Sequence, residues 1–141
     1  MATIVALLEE LLDTTGASRV TLRRDVDGPA AFPVVAEALA PGVGSLGNER
    51  TVNLTTQPVV REIQQGRQVV QDDCANAYDD ADFRAMLAAY GGLAAQIVTP
   101  IQIAGRLEAI LSLHQLGTPR HWTDDEIAAA NATADRLQEL L

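Results

Sequence analysis

Lysine is absent from this chain: all ten basic residues are arginine, set against nineteen acidic ones. The lack of lysine itself reads as a coding bias rather than chemistry. The formal charge of -9, however, argues against nucleic acid or an anionic membrane surface as the main partner, because both reward clustered positive charge. Cysteine is nearly absent as well. A single residue, Cys74, excludes an internal disulfide framework and fits a reducing, cytoplasmic compartment. No uninterrupted apolar run approaches the length of a membrane span. The apolar N-terminus, residues 1–12, carries Glu9 and Glu10 and lacks a basic leader and a cleavage site, so it reads as an amphipathic helix and not a signal peptide. Also missing are a nucleophile–base pair, a glycine-rich phosphate loop and zinc-ligand spacing. The expectation is neither an enzyme nor a metal protein.

What is present fits one globular domain over residues 1–141, nearly half of them apolar. Ile4, Leu7, Leu8, Leu11 and Leu12 form one helical stripe over residues 3–15, with Gly16 as the stop. Residues 19–24 alternate Arg or Thr with Val20 and Leu22, as a half-buried strand does. A turn is expected at Asp27-Gly28-Pro29, then a second strand over 32–39, with Pro33 marking a strand start or a sheet edge. Residues 41–56 read as a long connecting loop, a kind of segment that is often functional. Pro58 opens a short helix that continues over 59–65, residues 68–72 form a third strand, and Asp79 and Asp80 supply caps for a helix over 81–90 stopped by Gly91-Gly92.

Residues 96–104 and 106–115 are two strong apolar strands around Gly105, which makes them an antiparallel hairpin. A closing helix follows. Thr123 and Glu126 have the spacing of a capping box, Trp122 and Ile127 that of a hydrophobic staple, and Asp124, Asp125 and Glu126 complement the helix dipole. Helices and strands thus mix without β-α-β alternation, the pattern of an α+β domain with helices packed on an antiparallel sheet.

The passage Ile97-Val98-Thr99-Pro100, Gly105-Arg106-Leu107, His114-Gln115 and Pro119-Arg120-His121-Trp122 resembles GAF domains, nearest to the bilin-binding branch of phytochromes and cyanobacteriochromes. The resemblance covers the whole chain as fold and is specific over roughly its last third. It implies a GAF-like antiparallel sheet of about five to six strands, with N- and C-terminal helices on one face and a pocket-covering helix and loop on the other. It also supplies an absence. In covalent bilin binders a Cys-His pair starts the helix before the apolar strand, and here those positions are Phe83-Arg84. Cys74 lies upstream and matches no attachment position, so a covalent bilin is not expected. The cyclic-nucleotide GAF signature requires a lysine this chain does not have. Sulfoxide-reductase GAF domains relay a disulfide through several cysteines, which one cysteine cannot do within a subunit.

No cofactor is therefore assigned, and a non-covalent small ligand of unknown identity is expected. The resemblance places its pocket between the sheet and the helix over 83–90, closed by the 41–56 loop. The candidates are Arg50, Phe83, Arg84, Met86, Leu87, Tyr90, Thr99 and His114. Phe83, Met86, Leu87 and Tyr90 share a helical stripe that reads first as core packed on the sheet and only then as pocket wall, and Arg50 and Arg84 read first as solvated charges. His114 is either a pocket wall or a buried histidine satisfied locally. His121 reads as a solvated loop residue. Cys74 is expected to be unreactive, since Asp72 and Asp73 oppose a thiolate. The aspartates 72, 73, 79, 80 and 82 lack the glycine and terminal glutamate of a calcium loop and read as caps and turns.

Ile4, Leu8 and Leu11, with Ile127, Ala130, Ala134, Leu137 and Leu141, recur at spacings of three and four. These stripes could pack on the chain's own sheet, or pair across a homodimer as in many GAF proteins; the expectation is a homodimer. A partner protein or output domain beyond Leu141 fits a fragment of a larger regulator, and a complete small protein fits equally. The expected function is a cytoplasmic sensory module signalling through its terminal helices, or else a ligand-free dimerisation or interaction module with a degenerate pocket.

Overall fold

The computed structural model describes residues 3–25, 32–49 and 52–141. Helix α1 (Ile4–Thr15) begins where the Thr3 hydroxyl accepts a hydrogen bond from the Ala6 N–H (3.1 Å), and ends at Gly16, whose φ of 65° lets its own N–H turn back to the Leu12 carbonyl. Strands β1 (Arg19–Arg24) and β2 (Val34–Leu39) follow, then α2 (Pro58–Gln64), β3 (Val69–Gln71), α3 (Ala81–Ala89), β4 (Leu93–Ile103), β5 (Arg106–Leu116) and α4 (Asp124–Leu140). Short 3-10 turns at Leu54–Thr56 and Cys74–Asn76 punctuate the connections.

The five strands make one sheet in the order β2-β1-β5-β4-β3, each pair antiparallel. The β4–β5 hairpin dominates it. Ala104 and Gly105 both have positive φ (54° and 77°), which a two-residue turn matched to the twist of its strands requires. β4 starts at Leu93, earlier than the alternation predicts, because the chain pairs with Leu116 as soon as it leaves Gly92 and absorbs an irregularity between Leu93 and Ala95. β2 starts at Val34, just after Pro33, whose nitrogen has no hydrogen for a ladder. The turn expected at residues 27–29 lies outside the described residues.

Both faces of the sheet are covered. On one, α1 and α4 bury Leu7, Leu8, Leu11, Ala130, Ala134 and Leu137 against Val20, Leu22, Ile97, Leu111 and Leu113. Of the stripes assigned to a dimer, Leu8, Leu11, Ala130, Ala134 and Leu137 are thus buried within one chain, and Ile4, Ile127 and Leu141 pack at the edge of the same core. The buried members of these stripes pack on the chain's own sheet, the alternative that their spacing also allows. The other face carries a second core, in which Phe83, Met86, Leu87 and Tyr90 from the α3 region meet Val59, Val60 and Ile63 of α2, Leu46 and Leu54 of the long loop, and Val98 and Ile110 of the sheet. No helix among the described residues is long and apolar enough to cross a membrane.

Candidate functional site

Strand alternation sets the chemistry of the second face. With Val20 and Leu22 turned toward α1 and α4, Arg19, Thr21 and Arg23 of β1 fall on the opposite side. Register then places Arg19 beside His114 and Gln96, and Thr21 beside Ser112 and Val98. A polar band therefore crosses the centre of the sheet beneath α2 and α3, and each of its polar members is buried: Arg19 is 1 % exposed, Arg23 9 % and His114 3 %.

Arg19 is held by three neutral acceptors. Its Nε donates to His114 Nδ1 (3.0 Å), Nη1 to the Gly44 carbonyl (3.0 Å) and Nη2 to the Tyr90 carbonyl (2.7 Å). Burial lowers its pKa to about 10, so it remains cationic at neutral pH. Arg23 donates through Nη1 to the Phe32 carbonyl (3.0 Å) and through Nη2 to the Tyr90 hydroxyl (2.9 Å). Tyr90 joins the two arginines, since its ring also stacks on His114 with centroids 5.8 Å apart.

The arginine contact fixes the histidine tautomer. A guanidinium only donates, so His114 Nδ1 must carry a lone pair and the proton sits on Nε2. Burial, reinforced by the charges of Arg19 and Arg23, pushes the imidazole pKa well below its usual value. His114 is a neutral donor, and its Nδ1 is not free to act as a base.

Between this band and the helices lies a cavity of about 40 Å³, lined by Arg23, Gln57, Tyr90, Gln96, Ser112 and His114 and walled by Leu54, Val59, Val60, Ile63, Met86, Val98 and Ile110. Gln57 is 2 % exposed, and its Nε2 donates to the Asp82 carbonyl (3.2 Å) while its Oε1 has no partner. Thr21 Oγ1, on the same face, is also unpaired. The space is far smaller than the roughly 300–1,000 Å³ of a site for a drug-sized ligand.

Of the sequence candidates, Met86, Tyr90 and His114 line this cavity. Phe83 is fully buried but packs edge-to-face on Tyr78, with centroids 4.8 Å apart, and Leu87 is buried in the same core beside the cavity rather than in its lining. Arg84 is exposed and pairs with Asp79 (3.1 Å), so it does not reach the pocket. Thr99 is on the wrong face, because β4 alternation turns Gln96 and Val98 to the cavity and Ile97 and Thr99 to the terminal helices, where Thr99 accepts from Gln68 Nε2 (2.9 Å). Arg50 lies outside the described residues. Arg19, Arg23, Gln57, Gln96 and Ser112 are new to the site.

The cavity band connects to the terminal helices. Gln96 Nε2 donates to Gln71 Oε1 (2.9 Å), and the Gln71 carbonyl accepts the Trp122 indole N–H (3.1 Å). Asp72 takes the Trp122 N–H (3.2 Å) and the exposed His121 ring (2.8 Å). Arg120 lies over the Trp122 ring, 4.5 Å from its centroid, and bonds Gln115, the Thr15 carbonyl that ends α1, and the Glu126 carboxylate in the first turn of α4. One corner thus fastens α1, β5, β3 and α4 together.

The GAF domain family model matches residues 2–139. No curated protein matches the chain by sequence. Among solved structures it is similar to the phycocyanobilin-bound GAF domain of a cyanobacterial phytochrome, with a TM-score of 0.80, 21% identity, and coverage of 97% of this chain and 81% of that one. It is also similar to the blue-light absorbing form of the PixJ GAF domain of Thermosynechococcus elongatus, with a TM-score of 0.74, 25% identity, and coverage of 97% and 86%. The chromophore-binding domain of a bacteriophytochrome from R. palustris aligns with a TM-score of 0.79 at 16% identity, over 97% of this chain and 53% of that one. With the family model spanning nearly its full length and the sheet and helices in the same arrangement, this chain belongs to the GAF domain family.

Proposed function

We propose that this chain is a sensory or regulatory domain that binds a small molecule non-covalently between the sheet and α3 and transmits its occupancy through α1 and α4. The observation that carries this reading is the buried polar band around the cavity. Placing two guanidiniums, an imidazole, a serine and two glutamines in an apolar core costs several kcal/mol against an apolar filling, and a purely structural core has no need of them. The same strands that carry the band lead out of α1 and into α4 through the Arg120–Trp122 corner, which gives a ligand a route to the helices. In this reading the protein acts in the cytoplasm as a homodimer, coupled to a partner or output domain and without catalytic activity.

A covalent bilin is not part of the proposal. The sequence resemblance puts Phe83, not a cysteine, at the expected attachment position, and a cavity of about 40 Å³ does not admit a tetrapyrrole without displacing α3. The same small volume favours the second reading, a ligand-free interaction module whose pocket has filled with side chains. Native mass spectrometry of freshly purified protein, paired with its visible spectrum, separates the two. A defined extra mass supports the sensor, whereas a colourless species at bare polypeptide mass that binds nothing in a small-molecule screen refutes it.

A further inference from the structure

The buried arginines have carboxylates in their surroundings, Glu37 acting on Arg19 and Glu49 on the Tyr90 that Arg23 bonds, but their own hydrogen bonds go to neutral groups. Five ion pairs connect described residues, and neither Arg19 nor Arg23 is in any of them. Arg19 has a bond at each of its three nitrogens, to backbone carbonyls and His114, and does not line the cavity. Arg23 is different: it lines the cavity, and its two hydrogen bonds leave N–H donors of the guanidinium uncommitted. A buried guanidinium held only by neutral acceptors is costly, and a carboxylate beside it forms a strong charge-assisted bond.

The neighbouring groups narrow the choice. Ser112 and the neutral His114, a donor through Nε2, also line the cavity, so three donor-bearing side chains surround it. Opposite in character is Gln57, whose buried Oε1 lacks a hydrogen. Its amide orientation is fixed by the bond from Nε2 to the Asp82 carbonyl, so the unpaired atom is an acceptor and calls for an O–H or N–H on the ligand. Size limits the rest. At about 10–15 Å³ per water-sized sphere, a cavity of about 40 Å³ holds on the order of three, which suits a carboxylate head with one or two further atoms. Met86 is the flexible wall that can yield to the remainder.

Building on the ligand-site reading above, we infer that the cavity binds a small hydroxy-carboxylate, its carboxylate on Arg23 and Ser112 and its hydroxyl on Gln57 Oε1. Glycolate is the smallest probe with the two groups on separate carbons. Acetate removes the hydroxyl, and glycolamide keeps the hydroxyl but removes the charge. Each is titrated calorimetrically into the full chain at pH 7 and constant ionic strength, with thermal unfolding recorded in parallel. Glycolate is expected to bind saturably and raise the unfolding midpoint, with glycolamide weaker by about tenfold or more, the worth of a charge-assisted bond. Arg23→Met should weaken glycolate by a similar factor. If that variant does not fold, Ser112→Ala, which removes one cavity-lining hydroxyl, should weaken glycolate several-fold at unchanged secondary structure.

The failures are distinct. Equal binding of glycolate and glycolamide overturns the anion inference and leaves a neutral-ligand sensor standing. Glycolate silence together with another mass bound in native spectra overturns the inference alone. Silence of all three probes with no bound mass and no hit in the screen overturns both the inference and the sensor reading.

Discussion

At the scale of single residues, the pair Arg19–His114 sets a pH dependence. The folded imidazole has its pKa well below 6.5, whereas the unfolded chain titrates near that value. Between the two, the unfolded state binds more protons, so this contribution to stability is complete above pH 6.5 and falls as the pH drops below it. The slope from one histidine reaches about 1.4 kcal/mol per pH unit. The groups facing the ring, Arg19, Arg23, Tyr90 and Gln96, are cationic or neutral in this range and supply no carboxylate to oppose the loss. Denaturant unfolding from pH 7 to 5.5 should show this slope in the wild type and lose it in His114→Gln, which keeps an acceptor for Arg19 without titrating; parallel slopes would remove His114 as the source. Cys74 gives a second residue-scale test. Burial, aided by Asp73, pushes its thiol up to about 12, so a thiol reagent at pH 8 should label it only after unfolding, at a rate set by opening rather than by reagent. Much of this was visible in the sequence and much was not. The acidic neighbours of Cys74 and the apolar strand that carries His114 can be read directly. The alternation Arg19-Val20-Thr21-Leu22-Arg23 reads as a half-buried strand with its polar side in water, and that is where the reading fails: a second layer of helices covers that side. Period two alone cannot say whether such a layer is there.

At the scale of elements, the end of the chain was the most legible part because its signals are local. The Thr123 hydroxyl accepts from the Glu126 N–H (3.2 Å) while the Glu126 carboxylate accepts from the Thr123 N–H (3.0 Å), the reciprocal bonds that the spacing announces. Thr123→Ala should cost about 1 kcal/mol in denaturant unfolding, the ordinary worth of an N-cap. Asp80 caps α3 in the same way, accepting from the Phe83 N–H (2.8 Å), and Asp82 lies in the first turn of that helix. What the local signals could not give is which face of a strand meets which layer. Thr99 was misplaced for that reason, and Leu87 and Phe83 share α3 with Met86 yet point into packed core beside the cavity rather than into it. Phe83 is fully buried against Tyr78, so Phe83→Ala should destabilise the domain by about 3–5 kcal/mol, as large-to-small changes in closed cores do. A cost below about 1 kcal/mol would mean that this part of the core collapses readily onto the gap, and would reopen α3 as a movable lid.

At the scale of the whole molecule, the two faces of the sheet differ in chemistry. The face under α1 and α4 is largely apolar in its interior, while the face under α2 and α3 carries the polar band and its cavity. Any signal to the outside has to cross the sheet, and the Gln96–Gln71–Trp122 connection together with the Arg120 corner supplies fixed points for that crossing. The homodimer proposed here must then use surface the monomer leaves open. The buried stripe of Leu8, Leu11, Ala134 and Leu137 is committed to the sheet, whereas Val5 on α1 and Leu140 on α4 remain 46% and 43% exposed. Pairing through the outer sides of these helices would place the signal-bearing elements at the subunit boundary. The charge variants Val5→Glu and Leu140→Glu, combined, should therefore convert a dimer to monomer in sedimentation velocity while leaving the monomer's unfolding free energy within about 0.5 kcal/mol of wild type, as exposed substitutions do. Leu8→Glu, by contrast, buries an unpaired carboxylate and should unfold the chain at any concentration. A dimer that survives the double change places its interface elsewhere, with the exposed Val35 and Leu39 of the edge strand β2 as the next surface to alter.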